Sequence, residues 1–130
     1  MTEHIIIHDG TAKWGIRLIM VSEWPLANWR RLLSGMTRNR EDNQDAIDTL
    51  RAWFPDALRE AEIEMLNAEK AYKTLYTPLK QLPKGIMREK QKSINRDLAS
   101  ASREARNKVE KLKARNLEFL AALASMKKEN

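Results

Sequence analysis

Cysteine is absent from the 130 residues, and histidine occurs only twice. Without thiols there is no disulfide framework and no thiolate nucleophile, a composition that fits a reducing compartment. Both histidines, His4 and His8, bracket one β-favouring run, HIIIH. On a strand they share a face but lie about 13 Å apart, at ~3.3 Å per residue, too far to hold one metal ion. Glycine is also scarce, four residues and scattered, which leaves no glycine-rich phosphate loop. No Ser–His–Asp pattern is identifiable. No apolar run approaches the roughly 20 residues that span a bilayer. The opening MTEHIIIHDG has no basic leader and only a short apolar core, unlike a secretory signal. These absences lead to the expectation of a cytoplasmic, non-enzymatic protein with no cofactor, no metal and no membrane partner.

Charge is plentiful and uneven. The net charge is +6. Residues 1–83 carry 11 Lys/Arg against 12 Asp/Glu, whereas residues 84–130 carry 13 against 6. The whole surplus therefore lies in the C-terminal third, and it points to an acidic partner surface or to nucleic acid.

Residues 3–8 and 13–21 read as two strands joined at Asp9-Gly10, a common turn pair. A lone hairpin is marginal in water, so it must pack on helices or pair with a strand of another chain. Ser22 suits a helix N-cap, and Leu26, Trp29, Leu32 and Leu33 follow helical spacing up to a stop at Gly35. A second short helix is expected over residues 42–54, where Asp42, Asp45 and Asp48 suit the helix dipole better than a cation site. Two short helices with a glycine between them have the outline of a helix-turn-helix, but the polar connector is long and the second helix opens on acids, which opposes base reading.

From Phe54 the apolar spacing becomes a heptad seam: Phe54, Leu58, Ala61, Met65, Ala68, Tyr72, Leu75, Leu79 and Leu82. Pro55 would open this helix and Pro78 would end it. The last helix, from near Gly85 to about residue 127, carries Ile94, Leu98, Ala101, Ala105, Val109, Leu112, Asn116, Phe119, Leu123 and Met126. Two successive four-residue steps at Ala105 predict a register shift there. The expected fold is mainly α: an antiparallel two-helix coiled-coil arm packed at its base on two short helices, with a small N-terminal β-hairpin. Residues 1–54 would form the base and 55–130 the helical hairpin, its tip near 78–86, all within one domain. The apolar NLEFLAALASM extends past the shorter helix and needs cover, from the base or from a second protomer.

The turn sequence TPLKQLPKGIMREKQKS holds five basic residues and one acid, away from the acidic first arm helix. The candidate contact residues are Lys80, Lys84, Arg88, Lys90, Lys92, Arg96, Arg103 and Arg106. The four tryptophans could stack on bases, Trp29-Arg30-Arg31 most of all, but Trp29 shares a stripe with Leu26 and Leu33 and is better placed in a core. The leading functional reading is an accessory or inhibitory interaction protein that presents a basic helical arm to a nucleic-acid-processing complex. Its partner would be another protein, or a protein–nucleic-acid complex, with an acidic surface. The alternatives are direct, sequence-independent DNA or RNA binding by the last helix, and a structural role as a homodimer, larger homo-oligomer or virion component.

Overall fold

The structure, a computed structural model, describes residues 4–9 and 11–128, with only the backbone of 127 and 128. Two antiparallel strands, β1 (His4–Asp9) and β2 (Ala12–Arg17), are followed by a 3-10 segment over Leu18–Glu23 and the helix α1 (Leu26–Arg38). Two long helices complete the chain, α2 (Gln44–Leu75) and α3 (Ile86–Lys128). The fold class is the one expected: mainly helical, with a small hairpin at the start and two long helices packed on each other. Glu3 and Gly10, which the strand and turn expectations include, lie outside the described residues.

Several boundaries move, each for a physical reason. The second strand ends at Arg17, and the β-favouring Leu18–Val21 instead forms part of the 3-10 segment. Its inward residues Leu18 and Val21 are buried, whereas Ile19 and Met20 are exposed. Ser22 is not the helix cap; it is buried, and Pro25 occupies the cap position of α1. Gly35 does not stop α1. It lies within the helix, where a Cβ would meet the Asp9 carboxylate carbon at 3.4 Å, and α1 runs on to Arg38, which pairs with Asp9 at 3.2 Å.

The expected second short helix and the first arm helix are one continuous helix of 32 residues, with Pro55 inside it. Proline removes one helical hydrogen bond and crowds the carbonyl four residues back. Here Pro55 and Arg51 are both exposed, so the freed carbonyl lies on the water side. On the opposite side Ala46, Ile47, Leu50, Phe54 and Ala61 continue one buried stripe across the proline. Burial along that stripe outweighs the lost bond.

The chain divides into two compact units, one built from the residues up to Leu58 together with those from Lys111 onward, the other from Arg59–Glu110. The first has an aromatic core. Phe54 lies 6.1 Å from Trp29, 5.1 Å from Trp53 and 5.6 Å from Phe119, and Trp24 packs 6.5 Å from Trp29. Leu123 and Met126 are buried in the same unit, so NLEFLAALASM gains partial cover within its own chain, while Leu117 and Leu120 stay exposed. Arg115, buried beside this cluster in sequence, donates to the Trp24 carbonyl at 2.8 Å.

Asn43 joins the sheet to the helices. It is fully buried. Its side-chain oxygen accepts from the His8 N–H at 2.7 Å, and its amide nitrogen donates to the His8 carbonyl at 2.8 Å and to the Asn39 carbonyl at 3.0 Å. The amide thus pairs with β1 as a neighbouring strand would. Asn43→Ala would leave these backbone groups without their partner, and an unmade buried hydrogen bond costs about 1–3 kcal/mol. Urea denaturation should therefore show a loss of about 3 kcal/mol. Gly35→Ala should move stability the other way. The space accepts a methyl group at ordinary contact distance, and alanine in a helix gains about 0.5–1 kcal/mol over glycine, readable in the same experiment.

Candidate functional site

The candidate contact residues lie in the unit Arg59–Glu110, on the turn between the long helices and on α3. The turn is built by amides projecting from α3. Asn95 is buried; its oxygen accepts from the Thr77 N–H at 3.2 Å and its nitrogen donates to the Thr77 carbonyl at 2.8 Å. Gln91 donates to the Leu75 carbonyl at 3.2 Å and to Asn95 at 2.8 Å. Pro78 biases Thr77 away from helical backbone, so α2 ends at Leu75 and the chain needs these replacement partners. A 3-10 turn follows at Leu79–Gln81. Gly85 then adopts a φ of 132°, a conformation that side-chain-bearing residues rarely accept, and its carbonyl receives the Glu89 N–H as α3 begins.

Asn95 changes the reading of the seam. Ile94, expected inside, is 45% exposed, while Asn95 is buried in its place. Ala101 is likewise exposed and its neighbour Ser102 is half-buried. The inward positions are Gln91, Asn95, Leu98, Ser102, Ala105, Val109, Leu112, Asn116, Phe119, Leu123 and Met126. Their steps alternate four and three throughout, so the register shift expected at Ala105 does not occur. Polar residues take seam positions near the turn because the turn backbone needs hydrogen-bonding partners. Apolarity alone therefore chose the wrong neighbour twice.

Two of the eight candidate cations are engaged within the chain. Arg106 pairs with Glu69 at 3.2 Å, and Arg88 donates to the Leu82 carbonyl. Lys108 pairs with Glu64 at 3.5 Å, so the acidic first arm helix does take up part of the α3 charge. Lys80, Lys84, Lys90, Lys92, Arg96 and Arg103 are exposed. Among the described residues none of these six forms an ion pair. At 3.6 residues per turn, Lys92, Arg96 and Arg103 fall on one face of α3, over about 16 Å. Lys80 and Lys84 lie on the turn itself, and Lys90 flanks the seam.

Apolar side chains stand beside this charge. Ile86 is 76% exposed and Met87 69%, and Leu75 and Tyr76 are also exposed. Tyr76 stacks on Tyr72 with ring centres 5.0 Å apart. Sequence reasoning assigned these residues no contact role. The available signal is that Ile86 and Met87 precede the first inward position, Gln91, and have no seam place. The Trp29-Arg30-Arg31 fragment, in contrast, offers no stacking platform: Trp29 is fully buried, and Arg30 pairs with Glu118 at 2.9 Å.

Among the described residues no cluster of three or more His, Asp or Glu could hold a metal ion, and no helix is long and apolar enough to cross a membrane. Comparison with protein-family models, curated proteins and solved structures finds no match to the chain.

Asn95→Leu tests the origin of the turn. A leucine at a seam position would stabilise a coiled coil held by apolar packing alone. We expect the reverse locally: hydrogen exchange at the Thr77 amide at least ~10-fold faster, the equivalent of one lost hydrogen bond, with overall helix content unchanged.

Proposed function

We propose that the protein is a non-enzymatic interaction factor that docks the turn of its helical hairpin, and the adjoining face of α3, onto an acidic protein surface. Within that reading it acts as an accessory or inhibitory component of a nucleic-acid-processing complex. The observation that carries the proposal is the pairing of unneutralised cations with exposed apolar side chains on a turn held by side-chain amides. Lys80, Lys84 and Lys90 are exposed beside Ile86 and Met87, and the backbone beneath them is pinned by Asn95 and Gln91. A rigid apolar anchor with a charged rim is the composition of a protein contact, since little ordering entropy remains to be lost on binding.

The second reading, direct nucleic-acid binding, draws support from the single face shared by Lys92, Arg96 and Arg103. It accounts for the cations but leaves Ile86 and Met87 without a role, because phosphate contacts reward charge and not aliphatic surface. It also predicts a steep salt dependence through counterion release.

Co-purification from the native host, with and without nuclease, separates the two readings. The variant for comparison is Lys84→Glu, Lys90→Glu, Lys92→Glu, which spares Arg88 because that side chain holds the Leu82 carbonyl. For the protein-contact reading, capture should survive nuclease and fall at least ~10-fold in the triple variant, as expected when rim charges are reversed against a complementary surface. Capture that disappears with nuclease supports direct nucleic-acid binding. Undiminished capture by the triple variant removes the turn as the contact.

A further inference from the structure

The two edges of the hairpin differ. The β1–β2 register sets Asp9 opposite Ala12, Ile7 opposite Trp14 and Ile5 opposite Ile16. In an antiparallel pair, residues alternate between those whose N–H and C=O face the partner strand and those whose groups face outward. His8 is of the outward kind, because both of its groups go to Asn43. Ile6 and His4 therefore point their backbone groups to the same side. Among the described residues no hydrogen bond reaches either of them from that side. The Ile6 side chain is 56% exposed, and opposite it Gly15 has open space where a Cβ would stand.

Proteins usually blunt an open strand edge with charge. The outer edge of β2 follows this rule, with Lys13 and Arg17 either side of Gly15. The β1 edge does not. Its residues are His4, Ile6 and His8, with no Lys, Arg, Asp or Glu before Asp9. Its single closure is Asn43, which occupies the His8 position as a one-residue substitute for a strand.

We infer that β1 pairs with β1 of a second copy across a two-fold axis, with His4 of each chain opposite Ile6 of the other. This register uses both outward positions that Asn43 leaves open, and each pair exchanges both of its N–H···O bonds. Moving the register toward the turn, with Ile6 opposite Ile6, would set His4 against His8 of the copy, whose groups Asn43 already holds. Asn43 therefore limits how far the two strands can slide, and β-branched Ile6 gains a cross-strand neighbour in place of water. The surface is separate from the basic turn, so this assembly stands or falls independently of the partner proposed above.

Sedimentation equilibrium on the full chain, from micromolar to high micromolar concentration, should show the mass rising from monomer toward dimer. Hydrogen exchange should slow at the Ile6 amide as concentration rises, while the Ile7 amide, which faces β2, stays equally protected throughout. Ile6→Pro removes an outward N–H that the hairpin itself does not use, and proline is accepted at such an edge position. It should raise the dissociation constant by about 10-fold or more, the equivalent of about one hydrogen bond for each symmetric pair. Ile6→Lys keeps the backbone intact and should also weaken the dimer, while Gly15→Thr on the protected strand should not. A monomer at every concentration overturns the inference. So does a dimer whose Ile6 amide exchanges at a concentration-independent rate, or one that Ile6→Lys leaves unchanged.

Discussion

The structure rests on a buried asparagine amide that pairs with both the N–H and the C=O of a single backbone residue. It is used twice. Asn43 holds His8 at the end of the hairpin, and Asn95 holds Thr77 where α2 gives way to the turn. In each case a helix begins or passes beside a segment that has no regular partner of its own. Buried backbone groups without partners are costly, so an irregular segment packs on a helix only if the helix supplies both a donor and an acceptor. A primary amide supplies both from one side chain. Replacing either asparagine by an apolar residue would improve the hydrophobic pattern and remove the reason the segment sits where it does.

Around these two anchors the units are made differently. The unit containing the hairpin and α1 has a core of Trp29, Phe54 and Phe119 with aliphatic residues packed around them. Aromatic rings bury large areas and interlock edge to face, which suits the joining of elements of unlike shape. In the unit of Arg59–Glu110 the fully buried residues are few, Ala61, Asn95 and Val109, and the inward positions between them are small or amphipathic. Ion pairs such as Arg106–Glu69 are exposed and contribute little to stability. Much of the charge and several large apolar side chains of this unit therefore stay at the surface.

Several elements were legible because one physical signal dominated. The helical hairpin followed from apolar spacing of three and four sustained over many turns, and Pro78 marked its turn because no neighbouring burial opposed it. The misread elements are those where two signals competed. Pro55 looks like a helix start, yet the stripe from Ala46 to Ala61 carries the helix through it. Gly35 looks like a helix stop, yet it is where α1 meets Asp9. Ile94 and Ala101 look like seam residues, yet their polar neighbours Asn95 and Ser102 face inward. The candidate site divides in the same way. Its cations could be named from charge density alone. That Arg88 and Arg106 are engaged within the chain, while Ile86 and Met87 stand bare, depends on distances that spacing does not encode.

The sequence by itself determined the fold class, the position of the turn and the concentration of positive charge in the last helix. Each of these is a local or periodic property, carried by residue type and spacing. Only the tertiary structure decided which residues fill the seam, which cations remain unpaired, and that one edge of the hairpin is closed by Asn43 while the rest of that edge stays open. These depend on where backbone donors and acceptors find partners across 18 or 35 residues of chain. A hydrogen bond is directional and specific to its atoms, whereas an apolar contact accepts many neighbours; that is why periodicity located the helices but not the bonds that hold them in place.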